Sequence, residues 1–368
     1  MIILEEEKES ISLLRYLVNV PPAQLINVLL LLAAFLWAWI VRFLLRHSID
    51  IGAVVQLSHP WDQFAANNAR LKTQSTRFTT YLARVILPLT LLTNILHSYI
   101  EENKDANALV VLMYTLLPLG QAAFLILSIL KTCGVVRYCV KRCLVIESSP
   151  RALRNVYILF SDTVTSFNKP IIDFALYLTY LLGIQITHFD LFLAVIPPLI
   201  RLCQCLKEYK TTKEFTLLAN ALKYSCHLPV VLCLWYSRVY GDDSLTIRDY
   251  NILKVMMFIQ STYSYIWDVR KDWTITSISS IRYQKSRVLF PKFYYHIAIV
   301  MDGIMRYWWL WIIILAPYDV SGKPTALFFE KEAQFIELIR RAGWVVFKLE
   351  SEYSTRDSDA INYQKESR

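Results

Sequence analysis

The sequence has few glycine residues and few charges. Its eight glycines are spread over 368 residues, and no two lie within ten residues of each other, so a glycine-rich phosphate-binding loop of either common type is excluded. Charged residues make up 19 % of the chain, against about 25 % in an average soluble domain. They are concentrated between long stretches that are nearly free of charge. This distribution excludes a soluble globular enzyme, a disordered chain and a fibrous repeat.

No motif for catalysis or metal binding is present either. The sequence lacks the HExxH pattern of zinc proteases, as well as the HxxxxD and GxGD patterns of acyltransferases and intramembrane proteases. We therefore predict that the protein is not an enzyme and has no catalytic residue, no metal site and no cofactor. The seven cysteines are odd in number and lie in or beside apolar segments, which argues against a disulfide framework. A soft-metal site at Cys203, Cys205 and Cys226 is an alternative, but free thiols packed as small hydrophobic residues are the favoured interpretation.

What the sequence does have is a series of long apolar segments. A bilayer core about 30 Å thick requires roughly 20 apolar residues per helix, and the candidate segments are 25–45, 81–100, 108–130, 157–182, 191–206, 224–240, 252–267, 293–316 and 326–349. The glutamates before the first segment are not the basic start of a cleaved signal peptide, so we expect that segment to remain as a helix. The sequence predicts an all-α, polytopic membrane helical bundle of about nine transmembrane helices, with a kink or break at Pro197-Pro198.

The loops between these segments alternate in charge. The loops after the first, third, fifth and seventh segments carry most of the lysines and arginines, whereas loops 101–105, 185–190, 241–249 and 318–325 hold at most one each. Basic loops stay in the cytosol. The pattern predicts a lumenal N-terminus (1–24), N-terminal transmembrane helices with basic loops (25–154) and a cytosolic tail (354–368). Most of the net charge of +9 then sets topology and does not indicate nucleic-acid binding.

Ionisable residues lie in or at the ends of the last six segments. They are Asp162, Lys169, Asp173, Arg201, Lys223, Asp268, Asp272, Asp302, Arg306, Glu337, Arg340 and Arg341. Each costs about 2.5–3.5 kcal/mol at the centre of a membrane helix. Residues three or four apart share a helix face, which pairs Asp302 with Arg306 and pairs Glu337 with the two arginines that follow it.

Two interpretations of these charges remain open: they neutralise one another within the bundle, or they line a path for an anion. Among the residues just named, the three arginines of the eighth and ninth segments outnumber the two acids there, Asp302 and Glu337. Either Asp162, Asp268 and Asp272 meet them from other helices, or a mobile anion does. The planar donor fork of arginine suits phosphate, and rings of basic side chains line phosphate pores. We therefore favour a path for an oxyanion.

Four motifs in the second half of the chain resemble the EXS domain. In the family's order they are PPLIRLCQCLKEYKTTKEFTLLANALKYS, YSYIWDVRKDW, FPKFYYHIAIVMDGIMRYWWLW and FIELIRRAGWVVFKLESEY. The EXS domain is the transport unit of eukaryotic phosphate exporters, so the resemblance implies a six-helix EXS bundle over residues 155–353. The short chain without an SPX domain further resembles the Golgi members of the family in yeast. Gating by inositol pyrophosphates, as in the exporters, is then not expected.

The resemblance also implies which residues line the phosphate path. They are Asp162, Thr165, Arg201, Lys223, Tyr224, Asp268, Asp272, Arg306, Trp309, Glu337, Arg340 and Arg341. Thr165 stands where the exporters tend to have asparagine, which affects anion affinity or selectivity. Trp309 is either an aromatic gate or an ordinary packing residue.

The predicted function is that of a multi-pass Golgi membrane protein that also cycles through the endoplasmic reticulum (ER) membrane. The resemblance implies that it returns phosphate from the Golgi lumen to the cytosol and is needed for retention of ER lumenal proteins and for Golgi glycosylation. The alternative is a non-transporting trafficking factor that recruits glycosyltransferases or cytosolic sorting factors through its loops and tail. The predicted partners are inorganic phosphate and the lipid bilayer, with these enzymes and sorting factors as further candidates and no nucleic acid.

The predicted topology can be tested in loop 241–249. We expect an N-glycosylation site inserted into this loop to be modified, because the nine-helix arrangement places it in the lumen. The measurement is a mobility shift that glycosidase treatment reverses. The same site inserted into the basic segment 284–288 is the control and should stay unmodified; the opposite pattern would reject the arrangement.

Overall fold

The computed structural model of the protein describes residues 20–54, 64–103, 105–146, 154–240, 251–277, 282–283, 289–315 and 327–366. Most of the predicted lumenal N-terminus and the loops 241–249 and 318–325 lie outside these residues. The described helices are α1 (Pro22–Arg46), α2 (Ile51–Val54), α3 (Phe64–Glu102), α4 (Ala108–Thr132), α5 (Gly134–Val145), α6 (Arg154–Ser166), α7 (Asn168–Leu181), α8 (Phe189–Thr212), α9 (Phe215–Ser225), α10 (His227–Tyr240), α11 (Asn251–Trp267), α12 (Lys292–Arg306), α13 (Trp308–Leu315) and α14 (Leu327–Glu366).

The prediction of an all-α membrane bundle is confirmed. Five stretches of the described chain are long and apolar enough to cross a membrane: Pro22–Arg46, Asn68–Glu102, Ala108–Thr132, Phe189–Thr212 and Phe215–Tyr240. They coincide with the first, second, third, fifth and sixth predicted segments. The described parts of the other four segments are also helical, in α6 and α7, α11, α12 and α13, and α14. The described part of the predicted cytosolic tail is helical too, because α14 continues to Glu366.

A short β-ribbon is the one described departure from helix that the sequence pattern did not predict. Its strands are β1 (Ile275–Ser277) and β2 (Arg282–Tyr283), which pair antiparallel. They lie in the segment between the seventh and eighth predicted spans, where the chain is rich in serine and basic residues. The ribbon does not alter the helical architecture.

Three helix breaks interrupt the second half of the bundle. Helix α6 gives way to α7 at Phe167, α9 gives way to α10 at Cys226, and α12 gives way to α13 at Tyr307. Two of these breaks have a local cause. Pro170 and Pro229 lie in the first turns of α7 and α10, and a proline has no N–H group to bond the carbonyl four residues earlier. The backbone groups released at such breaks require other partners inside the membrane.

Helix α8 behaves differently from the sequence prediction. It runs from Phe189 to Thr212 as one helix through Pro197 and Pro198, so of the predicted kink or break at this proline pair the break is absent. A backbone irregularity does lie at the end of α11, where a π-helical turn spans Asp268–Asp272. Such wide turns are frequent at functional sites.

Polar side chains hold the three N-terminal helices together. The Gln24 amide of α1 donates to Gln121 Oε1 of α4 at 2.7 Å and to Thr90 Oγ1 of α3 at 2.8 Å. The Gln121 amide in turn donates to Thr93 Oγ1 at 3.2 Å. Bonds of this kind link membrane helices, because lipid offers no competing partner for a buried amide.

A large apolar core lies where α1, α2, the π-helical turn, α12 and α14 meet. Its buried members are Ile40, Val41, Leu44, Ile49, Ile51, Val54, Val269, Trp273, Ile275, Phe290, Tyr295, Ile299, Ala342, Trp344, Val345, Val346, Phe347 and Leu349. The indole of Trp344 packs here and donates to Asp272 Oδ2 at 3.2 Å. The core therefore fixes the π-helical turn against α14.

We predict that Gln121→Ala destabilises the bundle. It leaves the Gln24 amide and the Thr93 hydroxyl without their partner on α4, so the free energy of unfolding should fall by about 1–2 kcal/mol. The measurement is unfolding by sodium dodecyl sulfate in mixed micelles. Thr115→Ala is the control, since the exposed Thr115 hydroxyl bonds only the Val111 carbonyl of its own helix. Equal stability of the two variants would contradict the role given to the polar contacts.

Candidate functional site

A cavity of about 300 Å³ lies among the helices of the second half of the chain. Its walls combine charged side chains with neutral polar ones. The lining residues are Asp162, Thr165, Asn168, Pro198, Lys223, Tyr224, His227, Met257, Gln260, Ser261, Ser264, Asp268, Arg306, Trp309, Glu337, Arg340 and Arg341. A cavity of this size with convergent polar groups is the natural candidate for a binding site.

The helix breaks are located at this cavity. Helix α7 begins at Asn168 and α10 begins at His227, and both residues line the cavity. The π-helical turn begins at Asp268, and the break between α12 and α13 separates Arg306 from Trp309. Irregular backbone at membrane depth is tolerated where it borders a cavity, and transporters use such broken helices to build their binding sites. The breaks therefore place side chains and free backbone groups around one space.

Asp268 is the acidic centre of the cavity wall. The Lys223 ammonium donates to Asp268 Oδ1 at 2.9 Å, and the Arg306 guanidinium bonds the other carboxylate oxygen. Arg340 Nη1 lies 3.6 Å from that oxygen and 3.0 Å from Asp302 Oδ1. Asp302 also accepts from Arg306 Nε at 3.3 Å, as the spacing of four residues predicted. Two acids on α11–α12 therefore hold three cations that come from three different helices.

Asp162 forms a second node with residues of α8 and α9. It accepts from Arg201 Nε at 2.7 Å and from the Tyr224 hydroxyl at 2.6 Å. The Arg201 guanidinium also lies against the Tyr224 ring, 5.0 Å from its centre, and donates to Gln204 Oε1 at 2.9 Å. Arg201 and Gln204 do not line the cavity, so Arg201 acts as a support for Asp162.

Glu337 and Arg340 form a paired unit on α14. Two hydrogen bonds of 2.7 Å join the Arg340 guanidinium to the two Glu337 oxygens, and Ser166 donates to Glu337 Oε1 at 2.6 Å. The pairing at three residues' spacing matches the sequence prediction. Arg341 is 3.9 Å from Glu337 Oε1, so its contact with this acid is weak.

Arg341 keeps a donor without a partner. Its Nε donates to Ser166 Oγ at 2.8 Å, its Nη2 lies 3.5 Å from Thr165 Oγ1, and its guanidinium stacks 4.8 Å from the Trp344 ring centre. Its Nη1 is buried and makes no hydrogen bond among the described residues. Such a buried donor is costly unless a further group meets it. The cavity is therefore prepared to receive a hydrogen-bond acceptor at this point.

The charges that line the cavity are unequal. The cationic side chains are Lys223, Arg306, Arg340 and Arg341, and the acidic ones are Asp162, Asp268 and Glu337. Behind the lining, Arg201 and Lys348 add two positive charges, and Asp302 and Asp272 add two negative ones. The lining side chains themselves therefore carry one positive charge in excess, which favours an anion as the occupant of the cavity.

Ten of the twelve residues predicted from the resemblance line this cavity. They are Asp162, Thr165, Lys223, Tyr224, Asp268, Arg306, Trp309, Glu337, Arg340 and Arg341. The other two lie behind the wall. Arg201 supports Asp162, while Asp272 accepts from the Trp344 indole, lies 3.2 Å from Lys348 Nζ and is 3.9 Å from Lys223 Nζ. The structure brings the predicted set together without testing what it binds.

The sequence prediction missed the neutral part of the wall. Gln260, Ser261 and Ser264 of α11 line the cavity together with Asp268, and the spacing of four between 260, 264 and 268 was the available signal. Ser261 accepts from the Trp309 indole at 3.1 Å. The Gln260 amide nitrogen lies 2.9 Å from His227 Nδ1. These two contacts tie α11 to α13 and to α10.

Comparisons with known proteins match the chain over most of its length. The model of the EXS family matches residues 20–354, which includes the N-terminal helices as well as the region of the four motifs. The chain is 41 % identical to Protein ERD1 of Saccharomyces cerevisiae over 343 residues, covering 92 % of this chain and 95 % of that protein. It is 30 % identical to Protein ERD1 of Kluyveromyces lactis, covering 78 % and 82 % of the two chains.

A more distant similarity covers only part of the chain. Human solute carrier family 53 member 1 is 31 % identical over 167 residues, which make up 43 % of this chain and 23 % of that protein. The matches to the two ERD1 proteins thus cover much more of this chain than the match to the solute carrier does. The similarity to the solute carrier supports a comparison of one region and not of whole proteins.

We predict that Asp268→Asn strongly destabilises the protein. The change leaves Lys223, Arg306 and Arg340 near a group that no longer carries the compensating charge, and removing one partner from a buried ion pair costs about 3–5 kcal/mol. The free energy of unfolding in mixed micelles is the measurement.

The matched control is Asp190→Asn. Asp190 makes two hydrogen bonds to Arg238, at 2.9 and 2.7 Å, but this pair is exposed, so its loss should cost about 1 kcal/mol or less. A loss for Asp268→Asn no larger than that of the control would contradict the central role of Asp268.

Proposed function

The chain belongs to the EXS family, and we propose that it is a phosphate transporter whose path runs through the cavity between α6 and α14. The observation that carries the proposal is the unpartnered Nη1 of Arg341 in the wall of a cavity with one excess positive charge. A buried donor and an uncompensated charge both favour an anionic guest with acceptor oxygens. Inorganic phosphate has both properties.

The neighbouring acids have a distinct part in this mechanism. Asp268 and Glu337 hold the forks of Arg306 and Arg340 in fixed positions through hydrogen bonds within the protein. They also cancel most of the positive charge, which keeps an anion from binding too tightly to leave. Conduction requires such a balance between entry and release. Arg341 and Lys223 then replace part of the water that surrounds the incoming phosphate.

Trp309 is suited to control access to the cationic part of the cavity. It lies one residue inside α13, just beyond the break that follows Arg306, and its indole is held by Ser261 of the facing helix. A turn of the ring requires this hydrogen bond to break. In the proposed mechanism, this movement opens the cavity to the lumenal side of the predicted topology.

The proposed cellular role follows from the similarity to the two ERD1 proteins. We place the protein in the Golgi membrane, with cycling through the ER membrane and a cytosolic C-terminus, where it returns lumenal phosphate to the cytosol. Retention of ER lumenal proteins and Golgi glycosylation would depend on this transport. The alternative, a scaffold that recruits glycosyltransferases or sorting factors, draws on the long helix α14, which extends about 25 residues beyond Arg341 at about 1.5 Å per residue.

We predict that Arg341→Gln reduces phosphate flux by about tenfold or more. The change removes both the excess charge and the free donor, and a hydrogen bond to a charged group contributes about 1.5–3 kcal/mol. The measurement is phosphate flux in liposomes that contain the purified protein. Arg238→Gln is the matched control, because Arg238 is exposed and pairs with Asp190 away from the cavity.

The outcomes separate transport from scaffolding. Wild-type protein without phosphate flux, or equal flux in the two variants, would reject the transport proposal. A cell expressing Arg341→Gln should also secrete an ER lumenal reporter if retention depends on transport. Normal retention combined with lost flux would instead favour the scaffold for the retention role.

A further inference from the structure

The cavity wall contains a hydrogen-bond acceptor that nothing in the protein satisfies. Asn168, the first residue of α7, lines the cavity, and its amide nitrogen donates to the Ala194 carbonyl of α8 at 2.9 Å. Because a carbonyl oxygen can only accept, this bond fixes the orientation of the amide. The other end, Asn168 Oδ1, is buried and accepts no hydrogen bond among the described residues.

The carboxylates of the wall differ from Asn168 in this respect. Asp162 accepts from Arg201 and Tyr224, and Glu337 accepts from Ser166 and Arg340. Asp268 similarly accepts from two cationic side chains of the cavity. Each carboxylate is therefore occupied by at least two donors of the protein. Among the buried side-chain oxygen atoms of the described lining residues, Asn168 Oδ1 is the one left without a donor.

An unsatisfied donor lies on another residue that lines the same cavity. Asn168 follows Thr165 by three residues, and Thr165 Oγ1 lies 3.5 Å from Arg341 Nη2. The neighbouring Nη1 of Arg341 is the buried donor described above. A guest that satisfies both orphaned groups must accept a hydrogen bond at one atom and donate one at another. A bare oxyanion can do only the first.

We propose that Asn168 is a specificity-determining residue that accepts a hydrogen bond from the P–OH group of a protonated oxyanion. This inference extends the proposed function and rests on it, because it assumes that the cavity binds an anion. Phosphate carries at least one hydroxyl near neutral pH, and so does arsenate, whereas sulfate carries none. Sulfate would place oxygen lone pairs against Asn168 Oδ1 and leave that carbonyl unsatisfied. The cavity therefore admits phosphate and arsenate and disfavours sulfate.

The magnitude follows from the cost of a buried unpaired acceptor. Sites built around a hydrogen bond reject analogues that lack the matching group, because the buried partner is left without a bond. Since one neutral acceptor is involved, we expect wild-type protein to prefer phosphate over sulfate by about tenfold or more. Arsenate, which has the same hydroxyl, should compete nearly as well as phosphate.

The test measures binding of radiolabelled phosphate to the purified full-length protein in nanodiscs, with unlabelled phosphate, arsenate and sulfate as competitors. Asn168→Ala removes the acceptor and should lower the preference for phosphate over sulfate to about twofold or less. Asn168→Ser keeps a hydrogen-bond acceptor on a shorter side chain, so its preference for phosphate over sulfate should be larger than that of the alanine variant. The ratio is the readout, because a merely structural role of Asn168 would weaken all three anions alike.

Asn220→Ala is the matched control. Asn220 also has a buried Oδ1 without a partner, and its amide donates to Cys205 Sγ at 3.4 Å, but it does not line the cavity. Its replacement should leave the ratio unchanged. Equal competition by sulfate and phosphate in wild-type protein, or an unchanged ratio in Asn168→Ala, would overturn the assignment of Asn168.

The same experiment separates this inference from the transport proposal. Phosphate binding with a ratio that depends on Asn168, but without flux in liposomes, would support the specificity role and reject transport. Phosphate flux in liposomes, combined with a phosphate-to-sulfate ratio that does not depend on Asn168, would support transport and reject the specificity role. Absence of any phosphate binding would reject both.

Discussion

The structure depends on one buried carboxylate. Asp268 bonds Lys223 and Arg306 from two helices, and Arg340 approaches it from a third. In a membrane none of these cations could remain buried without a compensating charge. The acid therefore determines which helices meet and at what depth. Its own position is fixed by the π-helical turn that it begins, which in turn packs through Trp273 and Trp344 into the large apolar core.

The helix breaks and the charges have a common physical basis. A break releases backbone donors and acceptors, and these are tolerable only beside polar groups or a cavity. Buried charges likewise need polar surroundings. The chain concentrates both requirements in one region, so that the breaks at Phe167, Cys226 and Tyr307 surround the same space as the charges. The N-terminal helices have no buried ion pairs among their described residues, and polar amide contacts join them instead. Their break at Cys133, between α4 and α5, does not border the cavity.

The sequence predicted the parts of the structure that depend on composition and helical spacing. Apolar length placed the membrane helices, and the spacing of three or four placed the pairs of Asp302 with Arg306 and of Glu337 with Arg340. Of the kink or break that it predicted in α8, the break is absent, because a proline pair does not by itself end a helix. It could not assign Asn168 or His227, since an uncharged polar residue in an apolar segment has no distinctive pattern. Their relevance depends on which groups remain unpaired after folding.

The near-cancellation of charge in the cavity bears on the choice between a transporter and a scaffold. A scaffold gains nothing from burying Arg341 with a free donor, because an apolar residue of similar volume would be cheaper to bury. A protein that binds an anion tightly would have a higher affinity without these acids, since each carboxylate repels the anion. The observed arrangement has neither property: three acids oppose four cations in the lining, and Arg341 Nη1, Asn168 Oδ1 and His227 Nε2 stay without partners. Weak and selective binding of a passing anion explains both the acids and the unpaired groups.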